Sequence, residues 1–138
     1  MLNKNELERL LQEFKTGDTP IERFIELISD YIQINRRRSR DYIISKHINL
    51  EIGIFPEDVK KILSKFIKGE LNEDEIRKWA SLILALVDVY STPLKKGEKE
   101  DKYEPMWYII QQLASPEVDG NLTIQKAELF IEELNRIY

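Results

Sequence analysis

The sequence contains no cysteine and only one histidine, His47. Disulfide bonds and thiolate metal sites are therefore excluded, and a metal site with two histidine ligands cannot form. The five glycines stand singly along the chain, so no glycine-rich loop is present to cradle a phosphate group. The longest nearly apolar run, from Trp79 to Val87, is far shorter than the roughly 20 residues that span a bilayer.

The first residues form a charged, amphipathic stretch without the apolar region of a signal peptide. Together with the lack of cysteine, this predicts a cytoplasmic protein with no membrane partner. The formal net charge of −4 falls entirely on residues 56–138, whereas the acidic and basic side chains of residues 1–55 are equal in number. Because the phosphate backbone of nucleic acids attracts clustered Lys and Arg, this balance argues against a nucleic-acid partner and favours a basic protein.

Residue patterns for catalysis and cofactor binding are also missing. Acidic pairs are abundant, but they fall in exposed first turns of predicted helices, where nothing would desolvate a carboxylate and raise its pKa. His47 stands among isoleucines, where a packed or hydrogen-bonded role is more typical than catalysis. Residues 115–126 resemble a calcium-binding loop, with Gly120 at the sixth position. The twelfth position, however, holds Lys126 instead of a bidentate glutamate. We therefore expect no enzyme activity, no cofactor and no metal.

The most informative stretch that is present is the segment 72–90. Asn72, followed three positions later by Glu75, is the pattern of a capping box, in which each side chain bonds the other residue's backbone amide. Behind this cap, apolar residues cover nearly the whole circumference of a helix, with Trp79 and Val87 among the inward positions. Such a helix belongs inside a bundle. We therefore predict that 72–90 is a central buried helix.

Apolar stripes, caps and helix-ending glycines predict five further helices: residues 3–16, 21 to about 35, 56–68, a helix opened by Pro105, and a last helix from about Thr123. Residues 39–55 are ambiguous, because their β-branched side chains fit a strand or hairpin as well as a helix; we favour a helix followed by an irregular connection. Residues 91–104 are charged, which predicts a mobile loop. The predicted fold is all-α, a single-domain bundle of about six helices over residues 1–138.

Two parts of this bundle look alike. In each, a helix ends at a glycine, an acidic turn follows and a second helix begins; Gly17 and Gly69 lie 52 residues apart. Phe14 and Phe66 precede the two glycines at the same distance. The sequence therefore predicts two helix–Gly–turn–helix units, while a true duplication and a shared local motif remain alternatives.

These units carry a resemblance to a known family. The pattern Leu63-x-x-Phe66-x-x-Gly69-Glu70-Leu71-x-x-x-Glu75-Ile76-x-x-Trp79-Ala80 resembles small bacterial immunity proteins, which neutralise contact-dependent or polymorphic toxins. So does the later Ile110-x-x-Leu113, followed by Asp119 and a closing amphipathic helix. The first unit, Leu11-x-x-Phe14-x-x-Gly17 with Phe24 behind it, is similar to colicin D-type immunity proteins. Residues 39–55 and the charged loop have no counterpart in this pattern.

The resemblance implies a binding protein that is not an enzyme. Its partner would be a basic cognate toxin domain, such as an RNase or DNase, whose active site it would occlude with an acidic face. Candidate contacts are the outward carboxylates and one aromatic residue off the inward stripe of its helix: Glu70, Glu73, Asp74, Tyr108, Glu117, Asp119, Glu128, Glu132 and Glu133. For each carboxylate, a solvated face or a helix cap is the alternative interpretation.

Two other functions compete with this hypothesis. The arginines of residues 36–40 could serve a helical, nucleic-acid-associated regulator, with the turn at Gly69 forming a helix-turn-helix. A solvated helix end explains that run equally simply, because cations favour the negative end of the helix dipole. The acids that follow Gly69 also argue against a phosphate contact there. The third hypothesis is an intracellular adaptor with a peptide groove.

Overall fold

The computed structural model describes residues 2–35, 41–116 and 120–138, and these are mostly helical. The helices are α1 (Lys4–Lys15), α2 (Ile21–Leu27), α3 (Pro56–Ile67), α4 (Glu73–Ala85), α5 (Glu104–Ala114) and α6 (Ile124–Ile137). The strands are β1 (Ile32–Asn35), β2 (Asp41–Ile44), β3 (Ile52–Gly53) and β4 (Tyr90–Ser91). The prediction of a helical protein is confirmed. The structure also contains two small two-stranded sheets, which the all-α prediction did not include. No helix in these three ranges is long and apolar enough to cross a membrane.

The predicted cap of the central helix is confirmed. The Glu75 amide donates to the Asn72 side chain over 2.8 Å, and the Asn72 amide donates to the Glu75 carboxylate over 3.1 Å. A second capping box, between Asn3 and Glu6, begins α1. Because each cap satisfies backbone amides that the first helical turn leaves without partners, both helices start where their sequences place the cap.

The central helix is shorter than predicted. It ends at Ala85, and Val87 is 59% exposed, so the predicted helix over 72–90 is wrong in its last turn. The carbonyls of Val89 and Ser91 accept hydrogen bonds from the amides of Ile52 and Ile54. Through this pairing β3 and β4 form a short parallel sheet. The pairing requires an extended backbone at β4, whereas a continued helix would use the same backbone groups for its own hydrogen bonds.

A β-hairpin replaces two predicted helical segments. Strands β1 and β2 pair antiparallel, with Ile32 opposite Ile44 and Gln33 opposite Ile43. The spacing of Ile28, Tyr31 and Ile32 predicted that helix α2 would continue to about residue 35, but α2 ends at Leu27. The three side chains are nevertheless buried. A continued helix and a turn followed by a strand would both bury these three residues. The β-branched isoleucines favour the strand. The arginine run 36–40 lies outside the described residues.

The core is organised around Trp79, as its sequence context predicted. Trp79 is fully buried, and its indole N–H donates to the Phe14 carbonyl over 3.2 Å. The Tyr90 hydroxyl donates to the Leu11 carbonyl over 2.6 Å. The Phe14 ring stacks on Phe24, with centroids 3.8 Å apart. Two buried polar atoms therefore tie α4 and β4 to the carboxyl-terminal half of α1.

The two glycines of the predicted units both take left-handed backbone, with φ of +76° at Gly17 and +79° at Gly69. At Gly17 an added Cβ would also lie 2.8 Å from the Ile62 side chain, so that position favours glycine on two grounds. The helices that follow differ in length, with 7 residues in α2 and 13 in α4. The two-unit architecture therefore stays a prediction.

The buried Tyr90 hydroxyl makes stability sensitive to alkaline pH. Burial raises its pKa well above the ordinary 10.0, and the nearby Asp58 carboxylate adds to that shift. In the unfolded chain the phenol ionises near its ordinary pKa. The stabilisation is therefore complete below pH 10 and declines as the pH rises further, by at most about 1.4 kcal/mol per pH unit.

We expect Tyr90→Phe to lose about 1 kcal/mol of unfolding free energy at pH 7, because the hydrogen bond to Leu11 disappears. Between pH 10 and 11 the variant should lose less further stability than the wild-type protein does. Denaturant unfolding followed by circular dichroism at each pH measures both effects. The matched control is Tyr108→Phe at an exposed tyrosine, which should keep the wild-type pH dependence. Equal alkaline slopes for Tyr90→Phe and wild type would contradict the assignment.

Candidate functional site

The predicted contact residues do not form one surface. Glu70 is exposed just beyond α3, beside a groove whose lining is mainly lysine: Lys60, Lys61, Lys65 and Lys68, with Glu57, Ser64 and Ile131. Lys60 pairs with Glu57 at 2.6 Å, and Lys65 pairs with Asp18 at 3.8 Å. Glu70 therefore stands in locally basic surroundings, separate from the other acidic candidates.

Glu73 and Asp74, at the start of α4, both have partners within the chain. The Glu73 carboxylate accepts the Leu122 amide over 3.0 Å and so holds the segment that precedes α6. Asp74 pairs with Arg77 at 2.8 Å and with Lys78 at 3.2 Å. The hydrogen bond from Arg77 is the main reason that the pKa of Asp74 is lowered. Both carboxylates therefore have partners within the chain, and Arg77 and Lys78 partly neutralise the charge of Asp74.

The remaining acidic candidates lie on α6 or in the segment before it. Glu117 and Asp119 lie outside the described residues. Glu128 and Glu132 are exposed and lie one turn apart on the outer side of α6. Glu133, one position further, points instead toward α5, where it lines a surface depression with Tyr108. The fold therefore brings together two of the predicted residues, Tyr108 and Glu133.

This depression defines what we call the acidic–aromatic face: Asp101, Glu104, Tyr108, Gln111 and Glu133, with Pro105 and Trp107 also in the lining. Glu104, Tyr108 and Gln111 follow at i, i+4 and i+7, which places them on one side of α5. Tyr108 is 59% exposed, consistent with its predicted position off the inward stripe. The depression is shallow and open, with a volume of about 800 Å³. Its shape suits the surface of another macromolecule better than an enclosed small molecule.

The lining of the acidic–aromatic face is negatively charged. Among the residues that the structure describes, no Lys or Arg lines the depression. Within the described part of the chain, Asp101, Glu104 and Glu133 take part in no ion pair. Three carboxylates around an exposed ring therefore produce a locally negative potential, in contrast to the lysine-lined groove beside α3.

The floor of the face is held by a chain of hydrogen bonds. The Trp107 indole donates to the Thr92 hydroxyl over 3.2 Å, and Thr92 donates to the Ile54 carbonyl over 2.9 Å. This chain connects α5 to the residue that follows β3. Asp101, Glu104 and Trp107 are not among the contact residues predicted from the sequence. The spacing of Glu104 from Tyr108 was a usable signal, whereas the position of Asp101 depends on the path of a loop.

Other surfaces carry less specific chemistry. In the ranges that the structure describes, no group of three or more His, Cys, Asp or Glu side chains could hold a metal ion. A narrow, partly open cleft between α4, α5 and α6, lined by Glu73 and Arg77 among others, measures about 10 Å³. That volume admits about one water molecule. The acidic–aromatic face is therefore the strongest candidate for a functional surface.

No protein-family model, curated protein or solved structure matches this chain. The resemblance to immunity proteins consequently depends on the residue pattern around Gly17, Gly69 and Trp79. The structure contributes separate information, which is the arrangement of Tyr108 and three carboxylates on one surface.

Proposed function

We propose that this protein is a bacterial immunity protein, which binds a cognate toxin domain in the cytoplasm and covers its active site with the acidic–aromatic face. The observation that carries the proposal is the exposed Tyr108 ring among three carboxylates, in a depression that no described Lys or Arg lines. A nuclease needs a positively charged cleft to hold a phosphate backbone. Carboxylates that a rigid surface holds in fixed positions are electrostatically complementary to such a cleft.

The components of the face would have different energetic roles. Tyrosine is among the residues that dominate interface energetics, because it buries a large ring with little loss of side-chain freedom. Tyr108 would therefore supply most of the affinity. The carboxylates of Asp101, Glu104 and Glu133 would mainly accelerate association with a basic partner. Glu128 and Glu132, on the neighbouring outer side of α6, would extend the negative field.

The rest of the chain would serve as the scaffold for this face. We propose that the two helix–Gly–turn–helix units pack together through the contacts of Trp79 and Tyr90 with α1. A buried cluster of this kind resists deformation, since interiors are densely packed. A rigid scaffold lowers the entropy that is lost when the face engages a partner. In this arrangement Glu73 and Asp74 stabilise the scaffold rather than contact the toxin.

The immunity function predicts a toxin gene beside the gene for this protein. Expression of that neighbouring gene alone should stop bacterial growth, and co-expression with this protein should restore it. A neighbouring product that is harmless, or that stays toxic on co-expression, would contradict the immunity function. Restored growth also supplies the partner that the binding measurements need.

With an inactive form of that toxin domain, Tyr108→Ala should weaken binding by about 30-fold, or roughly 2 kcal/mol, because the anchoring ring is lost. Glu133→Lys should slow association, and the effect should be larger at 50 mM than at 500 mM salt. Surface plasmon resonance resolves both changes. Glu8→Lys, the same charge change on the exposed side of α1, is the control and should bind normally. Normal binding by both face variants would remove the acidic–aromatic face from the interface.

A further inference from the structure

We infer that Tyr138 acts as a latch that holds the strap, residues 92–103, against α6 and thereby positions the acidic–aromatic face before any partner arrives. The latch is a property of the free protein. Its consequence for binding depends on the proposed function, because it assumes that the acidic–aromatic face is the contact surface.

The strap is anchored at its first residue. Thr92 donates to the Ile54 carbonyl over 2.9 Å and accepts the Trp107 indole N–H over 3.2 Å. These bonds hold the beginning of the strap between β3 and α5. Nothing in the composition of residues 91–104 predicted this attachment, since the segment is charged and lacks apolar periodicity.

In the middle of the strap, the hydrogen bonds and the ion pair join strap residues to one another. The Glu98 carboxylate accepts the Lys95 amide and pairs with the Lys102 ammonium. These contacts are within the strap and lie at the surface, where ion pairs contribute little to stability. They shape the loop but do not attach it to the rest of the molecule.

The end of the strap is attached through Tyr138, the C-cap residue of α6. The Tyr138 ring stacks on Tyr103 with centroids 5.5 Å apart and an angle of 15° between the planes. Its hydroxyl donates to the Lys102 carbonyl over 2.8 Å. The Tyr138 amide donates to the Leu134 carbonyl over 3.0 Å, so the latch is itself fixed to α6. Both tyrosines are half-buried.

The latch sits between two carboxylates of the acidic–aromatic face. Tyr103 lies between Asp101 and Glu104 in the chain, and the Glu104 amide donates to the Asp101 carbonyl over 3.2 Å. Tyr103 also accepts the Trp107 amide over 3.1 Å at the first turn of α5. Holding Tyr103 therefore holds Asp101 and Glu104 in relation to Glu133 on α6. A face assembled from a loop and two helices needs such a connection to keep one geometry.

Hydrogen exchange of the full-length protein tests the latch. In Tyr138→Leu we expect the amides of residues 95–104 to exchange about tenfold faster, because the stacking and the hydrogen bond are both lost. Tyr138→Phe keeps the ring and should show a smaller, roughly threefold increase. The control is Leu129→Ala, which removes an exposed side chain of α6 outside the acidic–aromatic face, and it should leave these amides unchanged. Unchanged exchange in Tyr138→Leu overturns the latch, as does an equal increase in α1 and α4.

Binding of a hexa-arginine peptide at 20 mM salt, measured by titration calorimetry, tests the positioning separately. We expect Glu133→Lys and Tyr138→Leu both to weaken peptide binding severalfold, while Glu8→Lys leaves it unchanged. Faster strap exchange with unweakened peptide binding in Tyr138→Leu overturns the positioning role and leaves the proposed function intact. Equal peptide binding by wild type, Glu133→Lys and Glu8→Lys overturns the face as a cation-binding surface and leaves the latch intact.

Discussion

Replacing Trp79 with alanine should lower the free energy of unfolding by about 3–5 kcal/mol. The side chain is fully buried at the centre of the core, so its removal leaves a large cavity among side chains that can relax only partly. The substitution also removes the indole hydrogen bond to the Phe14 carbonyl, which then keeps the backbone bond from the Gly17 amide. Both effects lower the free energy of unfolding.

Urea unfolding monitored by circular dichroism measures this loss. Trp79→Phe is the informative companion, because it keeps an aromatic ring and loses the indole N–H; its cost should be about 1–3 kcal/mol. Leu129→Ala is the matched control on the surface, where the leucine is 56% exposed, and it should change stability by less than about 0.5 kcal/mol. A loss below about 1 kcal/mol in Trp79→Ala would contradict the buried position of the tryptophan.

The second large effect concerns an ion pair that the sequence did not reveal, between Lys15 on α1 and Asp58 on α3. The Lys15 ammonium lies 3.3 Å from the Asp58 carboxylate and donates to the Gly53 carbonyl over 2.7 Å. The Asp58 carboxylate also accepts the Phe55 amide over 2.9 Å, at the first turn of α3. The two side chains are only 14% and 10% exposed. This pair therefore connects α1, β3 and α3 in a mostly dry environment.

We expect Asp58→Ala to cost about 2–4 kcal/mol, because it leaves the Lys15 charge without its counter-ion and the Phe55 amide without its cap. Lys15→Met keeps the apolar stem and removes the charge, so its cost should be smaller, about 1–3 kcal/mol. The double variant should lose less than the sum of the two, since removing both partners leaves no unpaired buried charge.

A double-mutant cycle from denaturant unfolding tests this pair. The control is Lys78→Met, which removes a cation from the more exposed pairs with Glu22 and Asp74 and should cost less than about 1 kcal/mol. Additive losses in the Lys15 and Asp58 cycle would show that the two groups do not interact in solution. A loss for Asp58→Ala no larger than that of Lys78→Met would also contradict the burial of the pair.

The hairpin shows why part of the fold was mispredicted. Residues 39–55 contain β-branched side chains at spacings that suit either a helix or a strand, and local preference is too weak to decide between them. Pairing of β1 with β2 decides the question, because it satisfies the backbone of both segments at once. A pairing between segments that are separated in the chain leaves no local pattern in the sequence of either strand.

The candidate site was predictable in its chemistry and unpredictable in its assembly. Tyr108 was identified because it lies off the apolar stripe of α5, and Glu133 because it is an acid on the last helix. Their neighbourhood arises only when α5 and α6 pack side by side and the strap places Asp101 beside them. Glu73 and Asp74 carried the same signal as Glu133, yet the fold gives both of them internal partners.

Local sequence is sufficient for the features whose causes act within one or two helical turns. These include the caps at Asn3 and Asn72, the helix ends at Gly17 and Gly69, and the inward position of Trp79. Other features arise only when the chain is folded: the two small sheets, the Lys15–Asp58 pair, the contacts of Tyr138 with Tyr103 and Lys102, and the composition of the acidic–aromatic face. Each of these joins groups distant in the chain, and the energy of such contacts depends on loop paths and shared burial rather than on local spacing.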